Sequence, residues 1–128
     1  MVRLGRRWVP RRNNPFLDFV GVWTETGRAV FIEAKYTEDE YLRVDGRGGG
    51  VDDRQMANLR LWDKAGADAM VIWRSRLGTL VMDVAFLNQV YGKFKRKYVS
   101  YTEASTNWLC TSVRGLLFLE AMQRLYGI

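Results

Sequence analysis

PFLDFVGVWTETGRAVFIEAK, residues 15–35, decides the fold. Two apolar runs rich in Val, Phe and Ile flank Thr24-Glu25-Thr26-Gly27, so the stretch predicts strands from Phe16 to Trp23 and from Arg28 to Lys35 around a Gly27 turn. Asp18 lies in the first run, and Glu33-Ala34-Lys35 closes the second. A hairpin connection can set Asp18 beside Glu33, and strand alternation puts Glu33 and Lys35 on one face with Ala34 on the other. Two carboxylates suit a hard divalent cation bound through oxygen, and a nearby lysine can hold a water or a phosphate oxygen. This is the chemistry of metal-dependent phosphodiester cleavage. A solvent-facing strand edge would show the same alternation. The run from Ala29 to Ile32 is strongly apolar, however, so these charges stand where a buried strand ends.

Outward from this stretch, the reading is of one α/β domain. Residues 1–14 are basic and punctuated by Pro and Asn, and are expected to form an arm ahead of a single domain at 15–128. Tyr36 to Gly50 is polar and ends in Gly46-Arg47-Gly48-Gly49-Gly50, which predicts a mobile loop. No strand-GxxxxGK[ST]-helix context makes that cluster a phosphate cradle. Asp52 or Asp53 is expected to cap a helix that runs to about Ala65 and is closed by Gly66, with Met56, Leu59 and Trp62 on its apolar stripe. Ala69 to Trp73 reads as a strand, Leu77 to Val81 as an edge strand, and Asp83 to Tyr91 as a short helix. Ser112 to Tyr126 is expected to be an amphipathic helix. The element order predicts a mixed central sheet flanked by helices.

At 128 residues with 48% apolar content and five tryptophans, the chain can bury one substantial core. Its net charge of +6 suits a polyanionic partner. Arg3, Arg6, Arg7, Arg11 and Arg12 crowd the first segment, and Lys93, Lys95, Arg96 and Lys97 form a second cluster interleaved with Phe94 and Tyr98. Both would contact DNA phosphates in a salt-dependent manner. Histidine is absent, which excludes His metal ligands, His general bases and Ser-His-Asp hydrolysis. Cys110 is alone, so it forms no intrachain disulfide and is expected in the core. No apolar run reaches the ~18 residues needed to span a bilayer. A cytoplasmic, soluble protein with no membrane partner is expected, and its compactness is compatible with a phage-encoded chain.

The chain also resembles the PD-(D/E)xK nuclease superfamily, and within it the RecU-type Holliday junction resolvases. The resemblance covers about residues 15 to 101. It rests on Asp18-Phe19-Val20-Gly21-Val22, on Phe31-Ile32-Glu33-Ala34-Lys35 followed by Thr37, and on Asp53-Arg54-Gln55 opening the next helix. Gly66, the apolar run Met70 to Trp73, and a basic stretch before Tyr98-Val99-Ser100 extend it. It implies a restriction-endonuclease-like core and Mg2+- or Mn2+-dependent hydrolysis of DNA. It further implies a homodimer that acts on branched DNA, the four-way junction, and serves recombination or repair. Asp18 and Glu33 would be metal ligands, with the Ala34 carbonyl, and Lys35 would orient the attacking water or stabilise charge on the phosphate. Gln55 would sit near the metal, or be an ordinary polar residue of a first helical turn. A restriction-type, flap or repair nuclease, or a DNA-binding module without activity, are the alternatives.

The N-terminus departs from the family, whose members begin with a helix that carries a further acid. The run Arg114 to Met122 looks like that missing helix and could bring Glu120 to the site, in the same chain or across a dimer. A packing helix with an exposed glutamate is the favoured alternative.

Overall fold

A computed structural model describes residues 9–10, 19–24, 26–47, 50–91 and 97–113. Strands β2 (Phe19–Val22) and β3 (Ala29–Tyr36) pair antiparallel, with Phe19 opposite Ile32 and Val22 opposite Ala29. The turn between them uses Gly27 at φ +72°, a left-handed conformation that glycine adopts without Cβ strain. Within the segment expected as an arm, Val9–Pro10 is a two-residue strand, β1, laid against β2.

The remaining sheet is built on one crossover. Helix α1 (Asp53–Lys64) carries the chain from β3 to β5 (Asp68–Ser75), and the two strands run parallel with Glu33 opposite Val71 and Lys35 opposite Trp73. Strand β6 (Gly78–Asp83) returns antiparallel to β5, and helix α2 (Val84–Val90) follows. Strand β8 (Cys110–Val113) pairs with β6, so the sheet order is β1-β2-β3-β5-β6-β8. This is the mixed α/β architecture expected from the sequence. The run from Leu77 to Val81 was expected at an edge, but β6 has β8 on its outer side. The apolar pattern Leu80-Val81-Met82, buried throughout, suits a central strand.

Two further expectations are corrected. The loop predicted from Tyr36 to Gly50 contains strand β4 (Tyr41–Arg43), which pairs with β7 (Tyr98–Ser100) in a separate two-stranded ribbon. Leu42, Val44 and Val51 are fully buried, so this segment packs on the core. Gly46 and Gly50 serve close approach: a Cβ on Gly50 would collide with the Arg43 carbonyl, and one on Gly46 would lie 2.9 Å from the Tyr91 hydroxyl. The second correction concerns Ser112, expected to open a helix. It lies inside β8, and a short helix α3 (Tyr101–Ser105) that the apolar pattern does not announce precedes it. Residues 114–128, and with them Glu120, lie outside the described residues.

Helix α1 begins and ends as its sequence dictates. Asp52 is the N-cap, and Gly66, at φ +97°, closes the helix, with its own N–H on the Asp63 carbonyl and that of Ala67 on the Trp62 carbonyl. Met56 and Leu59 enter the core, and the Trp62 ring stacks on Phe31 at 4.3 Å. Cys110 is buried as expected, and burial pushes its thiol up to about 12, so it is a small core residue rather than a nucleophile.

At the amino end of β5, Asp68 is 3% exposed. Its carboxylate accepts the Trp23 indole N–H at 2.7 Å and pairs with Arg28 at 2.5 Å. Burial raises its pKa, while the indole and the guanidinium act in the opposite direction. The contact ties the β2–β3 turn to the crossover strand. Asp68→Ala should lower stability in urea unfolding by about 1–3 kcal/mol, the cost of a buried donor left without an acceptor. Asp68→Asn, which keeps an acceptor oxygen, should cost less.

Candidate functional site

Because β3 and β5 run parallel, their carboxyl ends meet at one edge of the sheet, the usual place for a site in an α/β fold. The residues of β3 divide there by alternation. Phe31, Glu33 and Lys35 face α1, while Ile32, Ala34 and Tyr36 face the other way. Glu33 is 3% exposed, Lys35 is half-buried, and Ala34 is exposed.

The amino end of α1 meets Glu33 through Gln55. Asp52 accepts the Gln55 backbone N–H at 2.8 Å, and the Gln55 side-chain oxygen accepts the Asp52 N–H at 3.1 Å. This reciprocal pair is a capping box. Since the amide oxygen is committed to Asp52, the amide nitrogen must point away from it, and it donates to Glu33 Oε1 at 2.6 Å. Lys35 Nζ lies 3.8 Å from the same oxygen. Gln55 is thus more than a polar residue of the first turn: it fixes the carboxylate against the helix. The signal was present in Asp-x-x-Gln at 52–55, a capping-box spacing.

Around this centre the β4–α1 connection is held by ionic contacts. Arg43 forks onto Asp45 at 2.8 and 3.1 Å, and the Tyr91 hydroxyl donates to Asp53. Burial first, then the neighbouring Asp53, raises the Tyr91 pKa, so the hydroxyl stays a donor. The Thr37 hydroxyl accepts the Trp73 indole N–H at 2.8 Å, securing the chain as it leaves β3. None of these partners was identified from the sequence; the Tyr91–Asp53 and Trp73–Thr37 contacts join segments that no short spacing connects.

The structure brings Glu33, Lys35 and Gln55 together and places Ala34 on the same strand. Asp18, Arg3, Arg6, Arg7, Arg11, Arg12, Lys93, Lys95 and Arg96 lie outside the described residues. Lys97 is exposed, and its carbonyl accepts the Val44 N–H at 2.7 Å. Among the described residues no group of three or more His, Cys, Asp or Glu is placed to hold a metal. The donors at hand, the Glu33 carboxylate and the Ala34 carbonyl, are oxygens and suit a hard divalent ion, with Asp18 as the further carboxylate the sequence offers. No described helix is long and apolar enough to cross a membrane.

No family model matches the chain, and no curated protein matches it. Among solved structures, the fold is similar to that of Archaeoglobus fulgidus Hjc, a Holliday junction resolvase from an archaeal hyperthermophile. The two share that fold. The TM-score is 0.54 at 14% identity, over 88% of this chain and 79% of that one. The restriction-endonuclease-like architecture expected from the sequence is therefore shown; at this identity the likeness speaks for the fold alone.

Two outcomes follow from the geometry. Gln55→Glu retains an acceptor for the Asp52 N–H but sets a second carboxylate against Glu33. The pair then holds a proton above the ordinary carboxylate range in the folded state. Because an acid with a raised pKa binds more protons when folded, its stability falls as pH rises. The variant should match the parent protein in thermal unfolding near pH 4 and fall below it at pH 7. The second outcome concerns Asp45, whose pKa falls from its ordinary 3.8 to about 2, chiefly through the Arg43 hydrogen bond. The stabilisation from a depressed carboxylate is present above pH 3.8 and is lost as pH falls towards 2. Carboxyl chemical shifts should give that midpoint, and Arg43→Ala should return it to roughly 4.

Proposed function

We propose that this protein is a divalent-metal-dependent DNA endonuclease of the PD-(D/E)xK type, and that its substrate is the four-way junction. The observation that carries this reading is the buried Glu33 carboxylate held by Gln55 at 2.6 Å with Lys35 Nζ 3.8 Å away, in the carboxyl half of β3. The net charge of +6 supports a polyanionic substrate, and the fold shared with Hjc supports a junction.

In this reading Glu33, the Ala34 carbonyl and Asp18 hold Mg2+ or Mn2+. In the sequence Asp18 precedes Phe19, and Phe19 pairs with Ile32, the residue before Glu33. A bound divalent ion supplies Lewis-acid polarisation of the phosphate and activation of water. Lys35 orients that water or stabilises the charge that gathers on the phosphate oxygens. Gln55 keeps the Glu33 carboxylate in one orientation, so the ligand need not be reorganised during the reaction. The arginines of residues 1–14 and the Lys93–Lys97 cluster contact the DNA backbone. Symmetric cutting of a two-fold junction calls for a two-fold homodimer.

The test is cleavage of a labelled four-way junction beside a linear duplex and a flap, each in Mg2+, Mn2+ and EDTA. Paired symmetric nicks on the junction alone, abolished by EDTA, are expected. Glu33→Gln and Lys35→Ala should each lower the rate by about 10²-fold or more, and Asp18→Asn likewise. Cutting of all three substrates would keep the nuclease and remove the junction preference. Metal-independent binding without cutting would leave a DNA-binding module.

A further inference from the structure

The β4–β7 ribbon has an inner and an outer face. Leu42 and Val99, opposite one another in the ladder, are fully buried, so alternation turns Tyr41, Arg43, Tyr98 and Ser100 outward. The Tyr41 and Tyr98 rings meet edge to face, 6.4 Å apart at 71°, and the Arg43 guanidinium lies 5.8 Å from the Tyr98 ring centroid. Tyr41 is 46% exposed and Tyr98 48% exposed. Together with Asp39 they line a cleft of about 340 Å³, at the lower end of the size of ligand sites.

The cleft is fixed in place. Asp39 accepts the Tyr41 N–H at 2.9 Å, the Tyr101 N–H donates to the Glu40 carbonyl at 2.8 Å, and Arg43 is clamped by Asp45. Two half-exposed rings on a secured ribbon present aromatic surface at little ordering cost. The charges select the ligand. A phosphate would meet the Asp39 carboxylate, and the Arg43 charge is shared with Asp45. A flat, uncharged heterocycle meets neither objection: its face fits the tyrosine rings, and its amino edge can donate to the carboxylate. Tyr41 is six positions beyond Lys35, so its Cα stands at most about 22 Å from that of Lys35.

We propose that the Tyr41–Arg43–Tyr98 face is a stacking subsite for an unpaired DNA base, such as one opened at a branch point. The subsite rests on the reading of this protein as a DNA nuclease. It adds a preference for DNA with unpaired bases that phosphate contacts alone cannot supply.

The full chain is titrated in EDTA against a single-stranded oligonucleotide with a central 2-aminopurine and against the fully paired duplex of the same sequence. Binding of the single strand should quench the 2-aminopurine. Tyr41→Ala and Tyr98→Ala should each weaken single-strand binding about 5- to 150-fold, with duplex affinity and the salt dependence unchanged. Tyr98→Phe, which keeps the ring, should bind like the parent. Should either alanine variant unfold, the quench with the parent protein and the Tyr98→Phe and Tyr98→Leu pair still decide the matter. Equal single-strand affinity of parent, Phe and Leu proteins, or no quench, overturns the subsite. Metal-dependent cutting that persists alongside either result leaves the nuclease reading standing. Ring-dependent stacking with no cutting in Mg2+ or Mn2+ removes the nuclease and keeps the subsite.

Discussion

Gln55 has one side-chain amide and two tasks, and the rest of the site depends on its doing both. Its oxygen closes the capping box of α1, and its nitrogen holds Glu33. An amide is suited to this because its two ends differ: one only accepts, the other only donates. A carboxylate in its place would repel Glu33, and an alkyl chain would leave both the helix end and the buried acid wanting. The position of the helix over the sheet and the orientation of the acid are therefore one constraint. Lys35 is placed by the same strand, two residues on and on the same face.

Much of this was legible in the sequence, and for identifiable reasons. Apolar periodicity and caps announced β2, β3, α1, β5 and α2, because each is stabilised by burial or by a local hydrogen bond. Glu33 and Lys35 could be set on one face from strand alternation alone. The ribbon of β4 and β7 could not be read, because its strands have three residues each and are joined across more than fifty positions of chain. The polar and glycine-rich stretch before α1 looked mobile for a related reason: the close surroundings of Gly46 (Asp53 and Tyr91) and Gly50 (the Arg43 carbonyl) do not show in its composition. Gln55 stood between these cases. Its cap was local and visible, whereas its bond to Glu33 spans 22 positions.

The two buried acids of the sheet show how environment separates roles. Asp68 is enclosed by an indole N–H and an arginine, partners that satisfy it within the fold. Glu33 stands three pairs further along the β3–β5 ladder, opposite Val71, where its carboxylate meets the amino end of α1 through Gln55. The first geometry ties a turn to the crossover strand, while the second ties the sheet to the amino end of a helix.

Among the described strands of the sheet, β3 with β5 is the one parallel pair and the others are antiparallel. A hairpin can form as soon as its two strands exist, but this pair must wait for the chain between them to cross over. Long-range parallel pairing is intrinsically slow, since loop-closure entropy precedes any gain from contact. Glu33 and Gln55 lie on either side of that crossing, so their bond belongs to the completed fold and to no hairpin within it. The centre thus forms only once the crossover is made, and the hairpin of β2 and β3 by itself carries the strand of the acid without the helix that aims it.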